Sequence, residues 1–247
     1  MSITKIMAHR GASGYAPENT MIAFELADKM NADYIELDLH ICKSGELVVC
    51  HDDKVDRTTN GSGFIKDLSL TELKKLDAGS HFNSKFKDSK IPTFIEVLDW
   101  IKDRSIGLNI ELKNAPIFYP NIEERVLELI EKYNMIDRVI ISSFNHYGLD
   151  KCKKINPDIK TGLLYMAGLF EPWNYCNHLN ADAIHPLFYG VLPEIIEGCK
   201  KNNIAINAWT VNDENYMKSL IELKIDGIIT NFPDKAKTIL DNFQRGE

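Results

Sequence analysis

Apolar and polar residues alternate along the stretch Tyr34–Cys42. Successive side chains of a β-strand point to opposite faces, so Glu36, Asp38 and His40 share one face of a predicted strand while leucine and isoleucine occupy the other. Two carboxylates on one buried face destabilise the fold unless a cation compensates them. The pattern therefore predicts a strand that carries part of a charged site.

Short apolar runs of strand length alternate with helical periodicity over most of the chain. The predicted parallel strands begin at residues 5, 34, 107, 138, 160, 181, 204 and 227. The main predicted helices cover about residues 21–31, 94–103, 122–134, 147–155, 173–179, 192–202, 214–223 and 234–243. Eight such units in 247 residues predict an α/β fold of the TIM (β/α)8 barrel type. The alternative is an open doubly wound sheet, but no Gly-x-Gly-x-x-Gly motif follows the first strand.

The second unit carries additional sequence. Residues 47–51 predict an extra strand, and residues 53–91 combine the motif DRTTNGSG, a helical patch at Thr71–Leu76 and a polar stretch. A structureless loop of this length is unusual in a compact domain. We interpret residues 53–91 as a small inserted subdomain after the second strand, within a single domain that spans residues 1–247.

Composition narrows the class of protein. With 44% hydrophobic and 26% charged residues the chain is typical of a globular protein, and its net charge of −7 argues against nucleic acid or an anionic membrane as a partner. Five widely spaced cysteines without a Cys-x-x-Cys motif indicate reduced thiols. We see no signal peptide and no apolar run of about 20 residues, so we expect a cytoplasmic location without stable membrane insertion.

Polar side chains collect at the predicted carboxyl ends of several strands, which is where catalytic groups of a TIM barrel lie. They are His9, Arg10, Glu36, Asp38, His51, Asn109, Glu111, Lys113, His185, Asn207 and Trp209. Glu36, Asp38 and Glu111 offer only oxygen ligands, so they predict a site for one divalent cation, Mg²⁺ or Ca²⁺.

The remaining strand-end groups suggest the chemistry. His9 and His51 are candidates for a general acid and a general base. Arg10 and Lys113 are suited to hold an anion, and phosphate is the natural anion beside a metal cation. A divalent cation, two imidazoles and two cationic side chains together indicate phosphoester chemistry.

For three of these side chains, a purely structural role competes with a role in the site. Trp209 is either core packing or a pocket wall, and the face that it shares with Asn207 favours the pocket. His185 ends a predicted strand, so a role in the pocket wall competes with simple burial. His40 lies two residues beyond the carboxylates, which favours a supporting role over metal ligation.

Several motifs occur in an order that resembles one known family. From His9 to about Pro233 the chain contains HRGASGYAPENT, IELDLHICKSGELVVCHD, DRTTNGSG, IPTFIEVL, LNIELK, VIISSFN and AWTVND. Together they resemble the glycerophosphodiester phosphodiesterase family. The resemblance implies a TIM barrel with a small insertion and hydrolysis of a small-molecule glycerophosphodiester to sn-glycerol 3-phosphate and an alcohol.

The resemblance also implies roles for eight residues. They are His9 and His51 as the catalytic pair, Glu36, Asp38 and Glu111 as metal ligands, Arg10 and Lys113 as cations that contact phosphate, and Trp209 as an aromatic side chain near the glycerol. Asn231 departs from the Asp that the family often has there, and we expect no core role to depend on it. The implied mechanism uses the glycerol 2-hydroxyl as nucleophile, although direct attack by water needs the same groups.

Two rival functions stay open. A related barrel phospholipase that acts on intact lipids would need an exposed apolar rim, whereas the insertion is mostly polar, which favours soluble substrates. A barrel that only binds phosphodiesters would be favoured by a lost ligand or histidine, and none is lost. The sequence decides neither the head group, nor Mg²⁺ against Ca²⁺, nor the oligomeric state.

Overall fold

A computed structural model describes residues 4–246, so residues 1–3 and 247 of the predicted single domain lie outside the described part of the chain. Its strands are β1 (Lys5–His9), β2 (Tyr34–Ile41), β3 (Leu47–Val49), β4 (Gly107–Leu112), β5 (Val139–Ser143), β6 (Lys160–Tyr165), β7 (Ala183–Pro186), β8 (Ala205–Ala208) and β9 (Gly227–Thr230). All except β3 pair in parallel with their neighbours, and β1 pairs with both β2 and β9. Within residues 4–246, eight parallel strands therefore form a closed barrel, which confirms the predicted TIM (β/α)8 fold.

Helices connect the barrel strands. They are α1 (Met21–Lys29), α2 (Leu70–Leu73), α3 (Phe94–Ile101), α4 (Ile122–Lys132), α5 (His146–Ile155), α6 (Pro172–His178), α7 (Pro193–Lys201), α8 (Glu214–Glu222) and α9 (Pro233–Arg245). Thr20 caps α1 by accepting a hydrogen bond from the backbone amide of Ala23, and Thr93 forms a capping box with Glu96 at the start of α3. Among residues 4–246, no helix combines the length and the apolar character that crossing a bilayer requires.

The two faces of each barrel strand have different surroundings. Leu37 of β2 lies in the main core with Phe24 of α1 and Phe94 of α3, so this face of the strand packs against the helices. Because side chains alternate along a strand, Glu36 and Asp38 point away from that layer, toward the inside of the barrel. The same alternation that predicted the strand therefore delivers its carboxylates to the barrel interior.

The segment between β3 and α3 has an apolar cluster of its own. The buried members of this cluster are Cys42, Val48, Cys50, Val55, Ile65, Leu73, Ala78 and Ile91. β3 is antiparallel to β2 and contributes Val48 to the cluster. The inserted segment therefore packs on the β2–β3 hairpin, beside the carboxyl end of β2.

Asp33 directly precedes β2, at the amino ends of the barrel strands, and connects three parts of the chain there. Its Oδ2 accepts hydrogen bonds from the backbone amide of Ile6 at 3.0 Å and from Lys237 Nζ at 2.9 Å, and Lys5 Nζ lies 3.2 Å from Oδ1. Burial alone would raise the pKa of Asp33, but these donors outweigh burial and lower it. The ionised carboxylate thereby stabilises the contact of β1 with β2 and α9.

We expect Asp33→Asn to lower the free energy of unfolding by about 1–2 kcal/mol at pH 7, since it removes a charged acceptor. The pKa of Asp33 is lower in the folded than in the unfolded state. The stabilisation is therefore complete above the unfolded-state pKa of about 4 and is lost as the pH falls through the folded-state value. Denaturant unfolding at several pH values measures this difference, with Asp103→Asn at an exposed position as the control. A difference that stays constant down to about pH 2 would contradict the assignment.

Candidate active site

The acidic residues of β2 and β4 lie side by side. Parallel pairing sets Asp38 opposite Glu111 and Glu36 opposite Asn109. One carboxylate oxygen from each of Glu36, Asp38 and Glu111 lies within 4.8 Å of the others. Three oxygen donors at this separation form an arrangement that could hold one divalent cation.

Two cationic side chains partly compensate these carboxylates. Lys113 Nζ lies 2.6 Å from Glu111 Oε1 and 3.5 Å from Asp38 Oδ1. The backbone amide of Arg10 donates a hydrogen bond of 2.9 Å to Glu36 Oε2, and its Nε lies 3.5 Å from Asp38 Oδ2. Asp38 therefore lies between both cations.

The electrostatic balance differs among the three carboxyl groups. Burial and the charge of Asp38 raise the pKa of Glu36 well above its ordinary value, and the same causes raise the pKa of Glu111 to about 7. Burial alone would also raise the pKa of Asp38, but Lys113 and Arg10 outweigh burial and lower it. Among residues 4–246, none donates a hydrogen bond to Asp38 Oδ1, from which Lys113 Nζ lies 3.5 Å away. Arg10 and Lys113 therefore do not fully neutralise the three carboxyl groups, and a further positive charge would stabilise their ionised forms.

His51 is oriented by a network of charged side chains. Its Nδ1 lies 2.6 Å from Asp52 Oδ1, and Arg57 donates hydrogen bonds of 2.8 and 3.0 Å to Asp52. Arg57 also donates bonds of 2.8 and 2.7 Å to Glu18, which accepts a further bond of 2.9 Å from Arg10. Hydrogen bonding from Arg57 lowers the pKa of Asp52, so the acceptor beside His51 is ionised. The Nδ1 of His51 then carries a proton and its Nε2 is available for chemistry.

His40 supports the backbone of His51. Its Nε2 lies 3.2 Å from the carbonyl oxygen of His51, and its Nδ1 lies 2.9 Å from the Tyr119 hydroxyl. Burial lowers the pKa of His40 to about 4, which keeps the ring neutral at pH 7. This geometry agrees with the supporting role that the sequence favoured.

His9 has a neutral partner. Its Nδ1 lies 2.7 Å from Asn231 Oδ1, at the end of β9. Burial and the neighbouring Arg10 lower the pKa of His9 to about 4, although the hydrogen bond with Asn231 acts in the opposite direction. Asn231 thus contacts one of the two candidate catalytic histidines, a contact that the sequence did not indicate. Closure of the barrel brings the end of β9 beside the end of β1. The Asp that the family often has at position 231 would therefore place a negative charge next to Nδ1 of His9.

A cavity of about 70 Å³ opens between these groups. Its walls consist of His9, Arg10, Glu36, His51, Asn109, Glu111, Ser142, Phe144, Leu164, Trp209, Thr210 and Ile229. Six of the eight residues proposed from the sequence thus line one cavity. The other two, Asp38 and Lys113, lie next to Glu111, so all eight are brought together.

Trp209 and Phe144 form an apolar part of the cavity wall. The Trp209 ring meets the Phe144 ring edge to face at 5.6 Å, and its indole nitrogen donates a hydrogen bond of 2.6 Å to the carbonyl oxygen of His185. The side chain of His185 is wholly buried, with Nε2 at 2.9 Å from Asn207 Nδ2, and burial lowers its pKa to about 3. His185 is therefore an interior residue of the barrel, and Trp209 is the residue of this pair that faces the cavity.

Sequence reasoning assigned no role in the site to four residues that organise it. They are Glu18, Asn19, Asp52 and Arg57. Asn19 Nδ2 donates a hydrogen bond of 2.8 Å to Asp38 Oδ2, and the other three form the network around His51. All four belong to the motifs PENT, HD and DRTT, so charged and amide side chains in these loops were the available signal.

A barrel that gathers an acidic cluster, two imidazoles and two cationic side chains at the carboxyl ends of its strands defines a TIM-barrel hydrolase of phosphate esters. The sequence profile of the Glycerophosphoryl diester phosphodiesterase family matches residues 9–235. The chain belongs to this family, as its motifs predicted, and it is a phosphoric diester hydrolase.

Individual relatives agree with this assignment. The chain is 47% identical to a glycerophosphodiester phosphodiesterase of Caldanaerobacter subterraneus subsp. tengcongensis, over 98% of this chain and 99% of that protein. It is 42% identical to a glycerophosphodiester phosphodiesterase of Bacillus altitudinis, over 98% and 100%. The crystal structure of an Oleispira antarctica phosphodiesterase in complex with the product sn-glycerol-3-phosphate is similar at a TM-score of 0.89 and 30% identity, covering 97% of both chains.

We expect Arg57→Gln to lower kcat for a glycerophosphodiester by about tenfold or more, because Asp52 and Glu18 would lose the guanidinium that fixes them both. Arg57→Lys should restore only part of the rate, since an ammonium keeps the charge without the planar fork. Steady-state kinetics and thermal unfolding of each variant measure the effect. Arg125→Gln, at an exposed arginine that donates to the carbonyl oxygen of Gly45, is the control. An unchanged kcat in a folded Arg57→Gln protein would contradict the role.

Proposed function

We propose that this enzyme hydrolyses glycerophosphodiesters to sn-glycerol 3-phosphate and an alcohol, with one bound divalent cation and with histidine general acid–base catalysis. The observation that carries the proposal is the carboxylate cluster of Glu36, Asp38 and Glu111, of which Glu36 and Glu111 line one cavity with His9 and His51. The product in the Oleispira antarctica structure supports the choice of substrate.

Glu36, Asp38 and Glu111 are the proposed ligands of the cation. Their oxygen donors suit Mg²⁺ or Ca²⁺ better than a soft metal. The raised pKa values of both glutamates support the fit, and so does Asp38 Oδ1, which accepts no hydrogen bond from the described residues, because added positive charge would stabilise each of these carboxylates. When bound, such a cation polarises a phosphoryl oxygen and favours ionisation of a hydroxyl.

The two histidines have different partners, which suggests different roles. Burial lowers the pKa of His51, but the charges of Asp38 and Asp52 oppose burial and favour the protonated form. We therefore assign His51 as the acid that protonates the oxygen of the leaving alcohol. The hydrogen bond of His9 is to the neutral Asn231, and burial and Arg10 outweigh it and lower the pKa of His9 to about 4, so we assign His9 as the base. It takes the proton of the glycerol 2-hydroxyl, whose oxygen forms a bond to phosphorus as the bond to the leaving oxygen breaks. Water then opens the cyclic phosphate; direct attack by water would use the same pair.

The charged groups beside the cavity position the substrate. Arg10 and Lys113 supply positive charge for the phosphate, since both lie next to the carboxylate cluster. Trp209 and Phe144 form the apolar wall against which the carbon atoms of the glycerol would pack. Phosphate and glycerol would thus contact opposite sides of one narrow cavity.

The domain and the location of the enzyme are proposals as well. We propose a single catalytic domain over residues 1–247, in which residues 53–91 form the insertion. We also propose that the enzyme acts in the cytoplasm on a small-molecule substrate and does not bind nucleic acid. All five cysteines are buried free thiols, which supports a reducing compartment, and the net charge of −7 disfavours nucleic acid.

Removal of divalent cations should abolish the release of sn-glycerol 3-phosphate from glycerophosphocholine. Restored Mg²⁺ or Ca²⁺ should return the activity, because one of them would occupy the carboxylate cluster. Calorimetric titration of the protein with each cation should show one site that Asp38→Asn removes. The matched control is Glu25→Gln, at an exposed position of α1, which should bind as the parent does. Full activity after exhaustive chelation would overturn the metal assignment.

We expect His9→Ala and His51→Ala each to lower kcat by about 100-fold or more, the range for loss of a general acid or base. Release of choline from glycerophosphocholine provides the rate, and far-ultraviolet circular dichroism checks the fold. His178→Ala, at an exposed histidine that ends α6, is the control and should keep the parental rate. Parental turnover by either active-site variant would remove that histidine from the mechanism.

A further inference from the structure

Asn109 of β4 is a buried amide whose polar atoms both lack a partner. The side chain lines the active-site cavity together with His9 and His51, and the residue is only 1% exposed. Among residues 4–246, none forms a hydrogen bond with its Oδ1 or its Nδ2, and no other side chain has two such buried atoms. A buried polar group without a partner destabilises a fold, so native proteins keep few of them.

Strand pairing places Asn109 at the floor of the cavity. It lies two residues before Glu111 on the same inward face of β4 and pairs with Glu36 of β2, so it is nearer the amino ends of the strands than the Asp38–Glu111 pair. On its other side it pairs with Ile140 of β5, which belongs to an apolar cluster separate from the main core. The amide thus lies beneath the carboxylates, beside hydrocarbon.

Two other buried asparagines differ from Asn109. Asn19 Nδ2 donates a hydrogen bond of 2.8 Å to Asp38, and Asn207 Nδ2 lies 2.9 Å from Nε2 of His185. A protein partner fixes each of these amides, which gives them a structural role. Asn109 has no such partner among residues 4–246, so the partner that suits its amide is a ligand of the cavity.

The two unpartnered atoms define the chemistry of that ligand. A primary amide donates hydrogen bonds through its nitrogen and accepts them at its oxygen. Phosphate oxygens only accept, and a metal cation would use the amide oxygen and leave the nitrogen unpartnered. Hydroxyl groups both donate and accept. A pair of neighbouring hydroxyls satisfies both atoms of the amide, one as acceptor and the other as donor.

We propose that Asn109 is a specificity-determining residue that binds the two free hydroxyl groups of the glycerol unit. Its Nδ2 donates to the oxygen of the 2-hydroxyl, whose proton stays available to His9, and its Oδ1 accepts from the terminal hydroxyl. This inference rests on the proposed function and names the feature by which the site selects its substrate. That feature is a vicinal diol next to the phosphodiester.

The depth of the site agrees with this orientation. His51, the proposed acid for the leaving alcohol, has 32% of its side chain exposed, whereas Asn109 is almost wholly buried. The leaving alcohol therefore lies toward the mouth and the glycerol unit toward the floor. A cavity of about 70 Å³ suits a small polyol, and Trp209 and Ile229 in its wall supply contacts for the glycerol carbon atoms.

The test compares glycerophosphocholine with the phosphocholine ester of propane-1,2-diol in the matching configuration. This ester keeps the 2-hydroxyl and the phosphodiester and lacks only the terminal hydroxyl. Released choline gives kcat/KM for both substrates. We expect the parent enzyme to use the propanediol ester about 10- to 100-fold less efficiently, because the missing hydroxyl leaves the buried Oδ1 of Asn109 unpartnered.

Two substitutions separate recognition from structure. Asn109→Leu keeps a branched side chain without polar atoms, and Asn109→Ala removes the amide without a clash. Both should reduce the preference between the substrates to about threefold or less, since neither offers the terminal hydroxyl a partner. Without substrate, Asn109→Leu should unfold at a temperature no lower than the parent, because hydrocarbon replaces an unpartnered amide. Asn242→Ala, exposed on α9, is the control and should keep the parental preference.

Each other outcome contradicts a defined step. Equal use of both substrates by the parent enzyme overturns this inference and leaves the proposed function standing. A preference that survives in both Asn109 variants assigns recognition of the terminal hydroxyl to other residues, and a lower unfolding temperature with that preference intact makes Asn109 structural. Loss of the cation site in calorimetric titration of Asn109→Leu assigns Oδ1 to the metal instead. No turnover of either substrate overturns this inference and the proposed function together.

Discussion

The burial of three carboxylates on two adjacent strands is the constraint on which the rest of the site depends. Parallel pairing of β2 with β4 sets Asp38 beside Glu111, and burial together with the like charge of Asp38 raises the pKa values of both glutamates. Such a cluster is tolerated only where cations approach it. Arg10 and Lys113 provide that approach, and a divalent cation would complete it.

The loops at the mouth of the barrel carry different kinds of side chain. Those after β1 and β3 supply the charged network in which Arg57 joins Asp52 to Glu18 and thereby links His51 to Arg10. The connections after β4, β5 and β6 supply exposed apolar side chains, among them Phe118, Tyr147 and Phe170. The closed barrel thus gives the mouth of the cavity both charged and apolar loops.

Much of the site could be predicted because strand periodicity fixes which side chains share a face. The alternation around Glu36 and Asp38 identified the inner face of β2, and strand ends identified the other candidates. Contacts between loops were harder to predict. Asn231 was considered unimportant, yet it contacts His9, and the polar composition of the insertion said nothing about apolar loops elsewhere at the mouth.

The sequence by itself determined the order of strands and helices, the barrel architecture and the chemical types at each strand end, because hydrophobic periodicity is a local property of the chain. Tertiary structure decided which groups meet. Arg57 and Glu18 are 39 positions apart, and His9 and Asn231 are 222 apart. Such pairs form only when the barrel closes and its loops come together at one end, and no local pattern encodes that distance.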